Sequence, residues 1–315
     1  MTVLVTGANG FVGAALVRHL AAAGHAVRGA ARHPAAVPAA AAAVAAPDLG
    51  AAADWRPALA GIETVVHCAA RVHVLRDAAA DPLAAFRAAN LDGTLALAEQ
   101  AVAAGVRRLV FVSSVKVNGE ETAADRPFTA ADAPAPREPY GRSKAEAEDA
   151  LRALAARSGL EVVILRPPLV HGPGVKGNLA ALMGALRRGL PLPLGAVTGN
   201  RRSLVGLANL VAALDVLAVH PQAAGQTYLL RDGEDLSTAA LVRRLAAALD
   251  RPARLLAVPV PLLTGAAALV GRGAALRRLT GSLVVDDGPL RALGWRPPET
   301  VDAGLRRMAA EGMPD

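Results

Sequence analysis

Thr2-Val-Leu-Val-Thr6-Gly7-Ala-Asn9-Gly10-Phe11-Val12-Gly13 is the stretch on which the fold turns. Its first five residues are apolar and β-branched, the pattern of a buried parallel strand. Glycines follow at 7, 10 and 13, and a helical pattern then runs through Ala23. Gly24-His25 ends that helix, and Ala26 to Ala31 reads as a second strand. Strand, glycine turn, helix, strand is a dinucleotide-binding βαβ unit. Glycine lets backbone N–H groups approach a pyrophosphate and lets helix and sheet pack closely, while the helix N-terminus faces the negative charge. Gly7, Asn9, Gly10, Phe11, Val12 and Gly13 are therefore the candidate cofactor cradle. A tight turn with no ligand is the plainer reading of the same residues.

An NAD site usually shows an acid at the end of the second strand, holding the ribose 2′-OH. Here the residues are Arg28-Gly-Ala-Ala-Arg32, with no acid. Arg32 either meets a 2′-phosphate, which tilts the cofactor from NAD toward NADP, or is a solvated arginine. Residues 34–53 are low in complexity, and the run Ala39 to Ala43 predicts a short helix before a third strand around Val44. Asp48-Leu49 would then lie near the adenine. Thr64 to Cys68 is a further strand, and Ala69-Ala70-Arg71 at its C-terminal end permits close approach of a ligand. The helix from Asp81 carries Phe86, Asn90 and Thr94. Asn90 has no propensity reason to stand mid-helix; it holds backbone or water near a site, or makes a structural hydrogen bond. Leu109 to Ser113 is the next strand, with Ser114 at the C-terminal edge where open α/β sheets bind ligands. Glu161 to Arg166 is a sixth, followed by Pro167-Pro168. Five or six short apolar strands alternating with helices give an α/β fold with a doubly wound parallel sheet.

Tyr140-Gly-Arg-Ser-Lys144 opens a helical run over 143–157. A spacing of four puts phenol and ammonium on one face, roughly 5–6 Å apart at Cβ. A cation beside a phenol lowers its pKa, which makes Tyr140 a candidate proton donor and acceptor. The chain has only two tyrosines and three lysines, so the pairing is informative. A surface helix pair is the bland alternative.

From His171 the texture changes. Proline and glycine recur in Gly172-Pro-Gly174, Leu190-Pro-Leu-Pro193, Val258-Pro-Val-Pro261 and Arg296-Pro-Pro298, among short helices and brief strands such as Gln226 to Leu230. We expect a dinucleotide-binding domain over 1–170. A smaller, mainly substrate-binding domain over 171–315 would return some segments to the sheet, with a cleft between. The 315 residues carry a formal charge of +7, but the arginines are dispersed and not interleaved with aromatics, which argues against nucleic acid. One cysteine, Cys68, rules out an intramolecular disulfide and a cysteine cluster, and the histidines show no metal spacing. His67 and His73 read as core or site-neighbouring residues. No signal peptide is evident, and Leu255 to Val270, broken by Pro259, Pro261 and Gly265, falls short of a membrane span. A cytoplasmic protein is expected, without stable membrane insertion.

Gly7-x-x-Gly10-x-x-Gly13, Ser114 and Tyr140-x-x-x-Lys144 together resemble the extended short-chain dehydrogenase/reductases of the NAD-dependent epimerase/dehydratase family, over nearly the whole chain. Ser113-Ser114-Val-Lys-Val-Asn-Gly-Glu120 and Arg166-Pro-Pro-Leu-Val-His-Gly-Pro-Gly174 resemble its bacterial UDP-glucose 4-epimerase-like subgroup. The resemblance implies that Tyr140 exchanges a proton with a sugar hydroxyl or ketone, that Lys144 lowers its pKa and binds the nicotinamide ribose, and that Ser114 holds the reacting oxygen. It implies that Asn90 supports them, that Ala69, Ala70, Arg71 and Pro167 line the cofactor, and that Asn178 and Arg202 meet a nucleotide diphosphate. It also implies a homodimer through the helices over 90–104 and 143–157. Two departures stand out. Family dehydratases carry an acidic pair after the catalytic hydroxyl; here it is Val115-Lys116, which disfavours dehydration. Lys116 either faces the substrate or is a solvated lysine. The family's epimerases carry Asn shortly after the strand-six arginine, where this chain has Pro167-Pro-Leu169.

The favoured reading is hydride transfer at a nucleotide-sugar carbinol, by a UDP-sugar 4-epimerase or a 4-keto-sugar reductase. A ketone reductase on a lipid-like substrate is the second, with some support from the apolar Leu255 to Val270. A non-catalytic dinucleotide sensor or assembly factor is the third.

Overall fold

The chain begins with the predicted unit: strand β1 (Thr2–Thr6), helix α1 (Phe11–Ala22) and strand β2 (Ala26–Ala31). Strand β3 (Ala42–Ala45), helix α2 (Arg56–Leu59) and strand β4 (Thr64–His67) follow. Helices α3 (Pro82–Arg87) and α4 (Gly93–Ala103) are joined without a break by a π-turn over Ala88–Asp92. Strand β5 (Arg108–Val112), helix α5 (Pro139–Ser158) and strand β6 (Glu161–Arg166) complete the first half. The computed structural model describes residues 1–72, 81–123, 125–269, 271 and 273–311, so His73 and Val270 lie outside the described residues.

The second half holds β7 (Leu169–His171), α6 (Asn178–Arg187), β8 (Arg202–Gly206), α7 (Leu207–Val219), β9 (Thr227–Leu229) and β10 (Asp235–Leu236). Helices α8 (Thr238–Ala248), α9 (Val260–Leu269), α10 (Gly273–Thr280), α11 (Gly288–Ala292) and α12 (Val301–Ala310) close it.

The main sheet has seven parallel strands in the order β3-β2-β1-β4-β5-β6-β9, one or two more than the sequence suggested. The added edge strand, β9, comes from the second half and pairs Ile164 with Thr227 through Arg166 with Leu229. The order reverses between β1 and β4, and the crevice at that switch point is where such sheets take ligands. One face is covered by α1 and α7, with Leu16, Leu20, Leu210 and Leu214 buried there. The other is covered by α2, α4 and α5, with Trp55, Leu97 and Leu151 buried. A third apolar cluster, including Leu179, Met183, Leu241, Leu245 and Leu305, joins α6, α8 and α12 beside a small sheet β10-β8-β7.

Two local expectations are corrected. Ala39 to Ala43 is not a helix: a single 3-10 turn covers Pro34–Ala36, and Ala42 and Ala43 belong to β3. Pairing of Arg28 with Ala42 through Ala31 with Ala45 overrides the helical preference of alanine. Helix α5 begins at Pro139, not Ser143, with Glu138 in extended conformation as its N-cap. Proline at the first helical position costs nothing there, because that N–H is unpaired in any helix.

Candidate active site

The cradle is built by exclusion of side chains. A Cβ on Gly13 would lie 2.1 Å from the Gly7 carbonyl oxygen. Gly7 has φ +65, and a Cβ there would lie 3.0 Å from Ala69 Cα. Gly10 caps α1 with no side-chain hydrogen bond, and no acid occupies the first turn. The N–H groups at the start of α1, including those of Phe11, Val12 and Gly13, are therefore presented as an anion site at the positive end of the helix dipole. Asn9, Gly10, Phe11, Arg32, Val72 and Lys176 are among the residues lining a cleft of about 1090 Å³. This donor set fits a dinucleotide pyrophosphate. Arg32 is exposed at its rim, Asp48 is exposed, and Leu49 packs against the α4 side of the core.

Behind the cradle runs a hydrogen-bonded relay that sequence reading did not find. Ala69 N–H donates to Thr6 Oγ1 (3.2 Å), which meets His67 Nδ1 (2.7 Å). His67 Nε2 meets Thr94 Oγ1 (3.1 Å), which donates to the Asn90 carbonyl (2.7 Å). Only one set of directions satisfies every group: Thr6 donates to Nδ1, and Nε2–H donates to Thr94. That requires a neutral imidazole. Burial, with a smaller contribution from the Lys144 charge, lowers the His67 pKa to about 3.

Asn90 sits in the π-turn and is buried. Its amide oxygen accepts from Arg71 N–H (2.8 Å), and its Nδ2 donates to Arg71 O (3.0 Å) and Ser143 Oγ (3.1 Å). It thus ties the Ala69-Ala70-Arg71 segment to the start of α5, where Ser143 Oγ donates to Tyr140 O (2.8 Å). The π-turn gives the register that a mid-helix asparagine requires.

Ser114 follows β5, and its hydroxyl lies beside Tyr140 at the first turn of α5. The Tyr140 ring stands edge-on to Phe86, with centroids 6.0 Å apart. The expected lowering of its pKa is not what the structure gives. Burial pushes the phenol up to about 12, and the Ser114 hydroxyl only partly offsets this. The reason is where Lys144 goes. Its Nζ donates to the Val112 carbonyl (2.8 Å) and lies 4.1 Å from the Phe111 ring centroid. Burial brings the Lys144 pKa down to about 7, with Glu148 opposing.

Glu148, one turn beyond Lys144, is a second residue that sequence reading missed. It is buried, accepts from Ser113 Oγ (2.6 Å) and Arg166 Nε (2.9 Å), and neutralises Arg166. Arg166 also donates to Asn118 Oδ1 (3.0 Å). The Tyr140, Lys144, Glu148 spacing was its one signal, a charged row on the inward face of a helix. Buried Pro167 offers its carbonyl to Val115 N–H (3.0 Å), which fixes the turn bearing Ser114.

The remaining predicted residues are dispersed. Lys116 is paired with Glu138, which also meets Arg278 of α10 at 3.1 Å, so it is not the solvated lysine of the alternative reading. Asn178 is exposed at the start of α6. Arg202 donates to the Gly281 carbonyl (3.1 Å), and burial lowers its pKa. Among the described residues no group of three His, Cys, Asp or Glu side chains could hold a metal, and no helix is long and apolar enough to cross a membrane.

A seven-stranded parallel sheet with a glycine cradle at its switch point, and Ser, Tyr and Lys at the C-terminal edge of β5, defines an extended short-chain dehydrogenase/reductase of the Rossmann type. The chain belongs to the NAD dependent epimerase/dehydratase family, whose sequence profile matches residues 3–230. It is 45% identical to a UDP-glucose 4-epimerase of Vibrio cholerae, over 98% of this chain and 94% of that protein. The structure is similar to that of a UDP-glucose 4-epimerase of Thermus thermophilus in complex with NAD (TM-score 0.78, 25% identity, 99% and 98% of the two chains covered). It is likewise similar to MoeE5 in complex with UDP-glucose and NAD (TM-score 0.77, 26% identity, 99% and 98% covered).

Proposed function

We propose that the protein is an NAD-dependent epimerase that inverts C4 of a UDP-linked hexose. The observation that carries this is the placement of Ser114 just after β5 beside Tyr140 at the start of α5, with Lys144 one turn along the same helix face. NAD, when bound, would take the C4 hydride and return it to either face. The cradle of Gly7, Gly10 and Gly13 would hold its pyrophosphate. Ser114 would orient O4, and Tyr140 would take the O4 proton on oxidation and give it back on reduction. A phenol with a pKa near 12 is a strong base once ionised, but little of it is ionised at neutral pH. Lys144 supplies the correction if its ammonium leaves the Val112 carbonyl for the phenol, which raises the phenolate fraction. No carboxylate follows Ser114, since Val115 and Lys116 stand there, so removal of a C5 proton has no base at that position. The Vibrio relative supports UDP-glucose and UDP-galactose as the substrate pair.

The exposed Arg32 at the cleft rim, with no acid at the end of β2, favours a second reading, an NADPH-dependent reductase of a 4-keto sugar. One experiment separates them. Denatured protein should release stoichiometric NAD, and UDP-galactose should convert to UDP-glucose without added cofactor. Tyr140→Phe should lower turnover by roughly 10²–10⁴-fold while NAD is still retained. Protein that carries no NAD and turns over only with consumption of NADPH would replace the epimerase with the reductase.

A further inference from the structure

Helix α9 lies on the outside of the C-terminal half and has no buried residue. Val260 and Leu263, partly buried, rest it on the cluster formed by α6, α8 and α12. Leu262 and Leu269, seven residues apart, share the opposite face with Gly265 and Ala266 and are 66% and 90% exposed. Leu190 and Leu256 are exposed nearby, on two segments that Leu192 and Leu255 bridge side by side. Arg187, Arg188, Arg251 and Arg254 are exposed on these same segments, whereas Arg277 and Arg278 of α10 are exposed beside Glu120, Glu121 and Glu138. Residues 182–195 and 251–280 contain no Asp or Glu.

We propose that α9 and its arginine-bearing flanks dock on the surface of an anionic lipid bilayer. Aliphatic side chains entering the acyl boundary, with arginines at the level of the phosphates, is the arrangement by which an amphipathic element lies on a membrane. At 10 residues α9 lies on the bilayer and does not span it. A second copy of the chain fits poorly, because a two-fold contact about α9 would set Arg251 and Arg254 near their own copies, on segments that carry no Asp or Glu. A protein partner fits less well, because residues 251–280 hold no aromatic or methionine to act as an anchor. The surface is joined to the reacting edge: Arg278 reaches Glu138, two residues before Tyr140. Docking would therefore set the substrate mouth beside the lipid.

Flotation of the whole protein with phosphatidylcholine vesicles, with and without about one third phosphatidylglycerol, tests the proposal. Binding is expected to the anionic vesicles only, with release by about 0.5 M salt. Leu262→Asp with Leu269→Asp should cut the bound fraction roughly tenfold or more. A thermal melt matching the unmodified protein would show that this is not loss of fold. Arg251→Glu with Arg254→Glu should weaken binding in the same direction. Failure to float with anionic vesicles, or equal flotation of the double-leucine variant, would overturn the proposal. So would self-association without lipid, seen by sedimentation velocity and broken by the same leucine changes, which would assign the face to a second copy. None of these readouts depends on the reaction catalysed.

Discussion

At the cofactor end of the cleft, Gly7, Gly10 and Gly13 bring main chain to positions where a side chain would collide. Beside Tyr140, Lys116, Glu138 and Arg278 bring charges to one another across two halves of the chain. The first end is made of backbone dipoles and excluded volume. It should be sensitive to a single methyl group, and that steric effect should not depend on salt. The second is made of long side chains, partly exposed, whose mutual attraction is screened. It should tolerate changes of volume and respond to charge.

The largest effect expected from breaking this contrast is at Gly13. Gly13→Ala would place Cβ 2.1 Å from the Gly7 carbonyl oxygen, a clash between backbone groups that no rotamer relieves. Overpacking of this kind costs about 1–3 kcal/mol, or roughly 5–150-fold in affinity when it falls on the cofactor. NAD affinity measured by calorimetry should fall by that factor at low and at high salt alike. A variant that binds normally would show that the cradle flexes.

The second effect sharpens the contrast, because the rigid end leans on one uncharged histidine. His67 titrates near 3 in the folded protein, against 6.5 for the free side chain. Below 6.5 the unfolded chain takes up a proton that the folded chain refuses. Stability is therefore lost as pH falls from 6.5 toward 3, at up to about 1.4 kcal/mol per pH unit. Lys144, brought from 10.5 to about 7, acts in the same direction in a higher window, adding stability as pH rises from 7 to 10.5. Urea unfolding at a series of pH values between 6.5 and 4.5 should show the acid slope. His67→Gln should flatten it by close to one proton, whatever its effect on absolute stability.

What could be read beforehand follows the same division. Glycine at 7, 10 and 13 has a geometric reason that survives without knowledge of the tertiary structure. So does the Tyr140–Lys144 spacing on one helix. The direction in which Lys144 leans does not, because its acceptor is the Val112 carbonyl on β5, 32 residues away in sequence. For that reason the Tyr140 pKa was expected to move down when burial moves it up. Glu148 and Arg166 meet from a helix and a strand, and the relay through Thr6, His67 and Thr94 joins three elements. None of these pairings leaves a local mark. Ala42 to Ala45 shows the converse: residues with strong local preference for helix become a strand because β2 is there to pair with.

The smallest expected effect is at the charged cluster beside Tyr140. Glu138 holds Lys116 and Arg278 together, and all three side chains are partly exposed. Such pairs are worth at most about 1 kcal/mol each, so Glu138→Gln should leave the melting temperature nearly unchanged. The two cations, deprived of the carboxylate they share, would separate and loosen α10 from the edge that carries Ser114 and Tyr140. The KM for the nucleotide sugar should then rise, by roughly fivefold or less, while NAD affinity stays as it was. Raising the salt should move the unmodified protein toward the variant and leave the variant almost unmoved, since screening and substitution remove the same attraction. If NAD affinity fell with KM, the two ends would be coupled through α5, and the division between a backbone-built and a charge-built end would have to be abandoned.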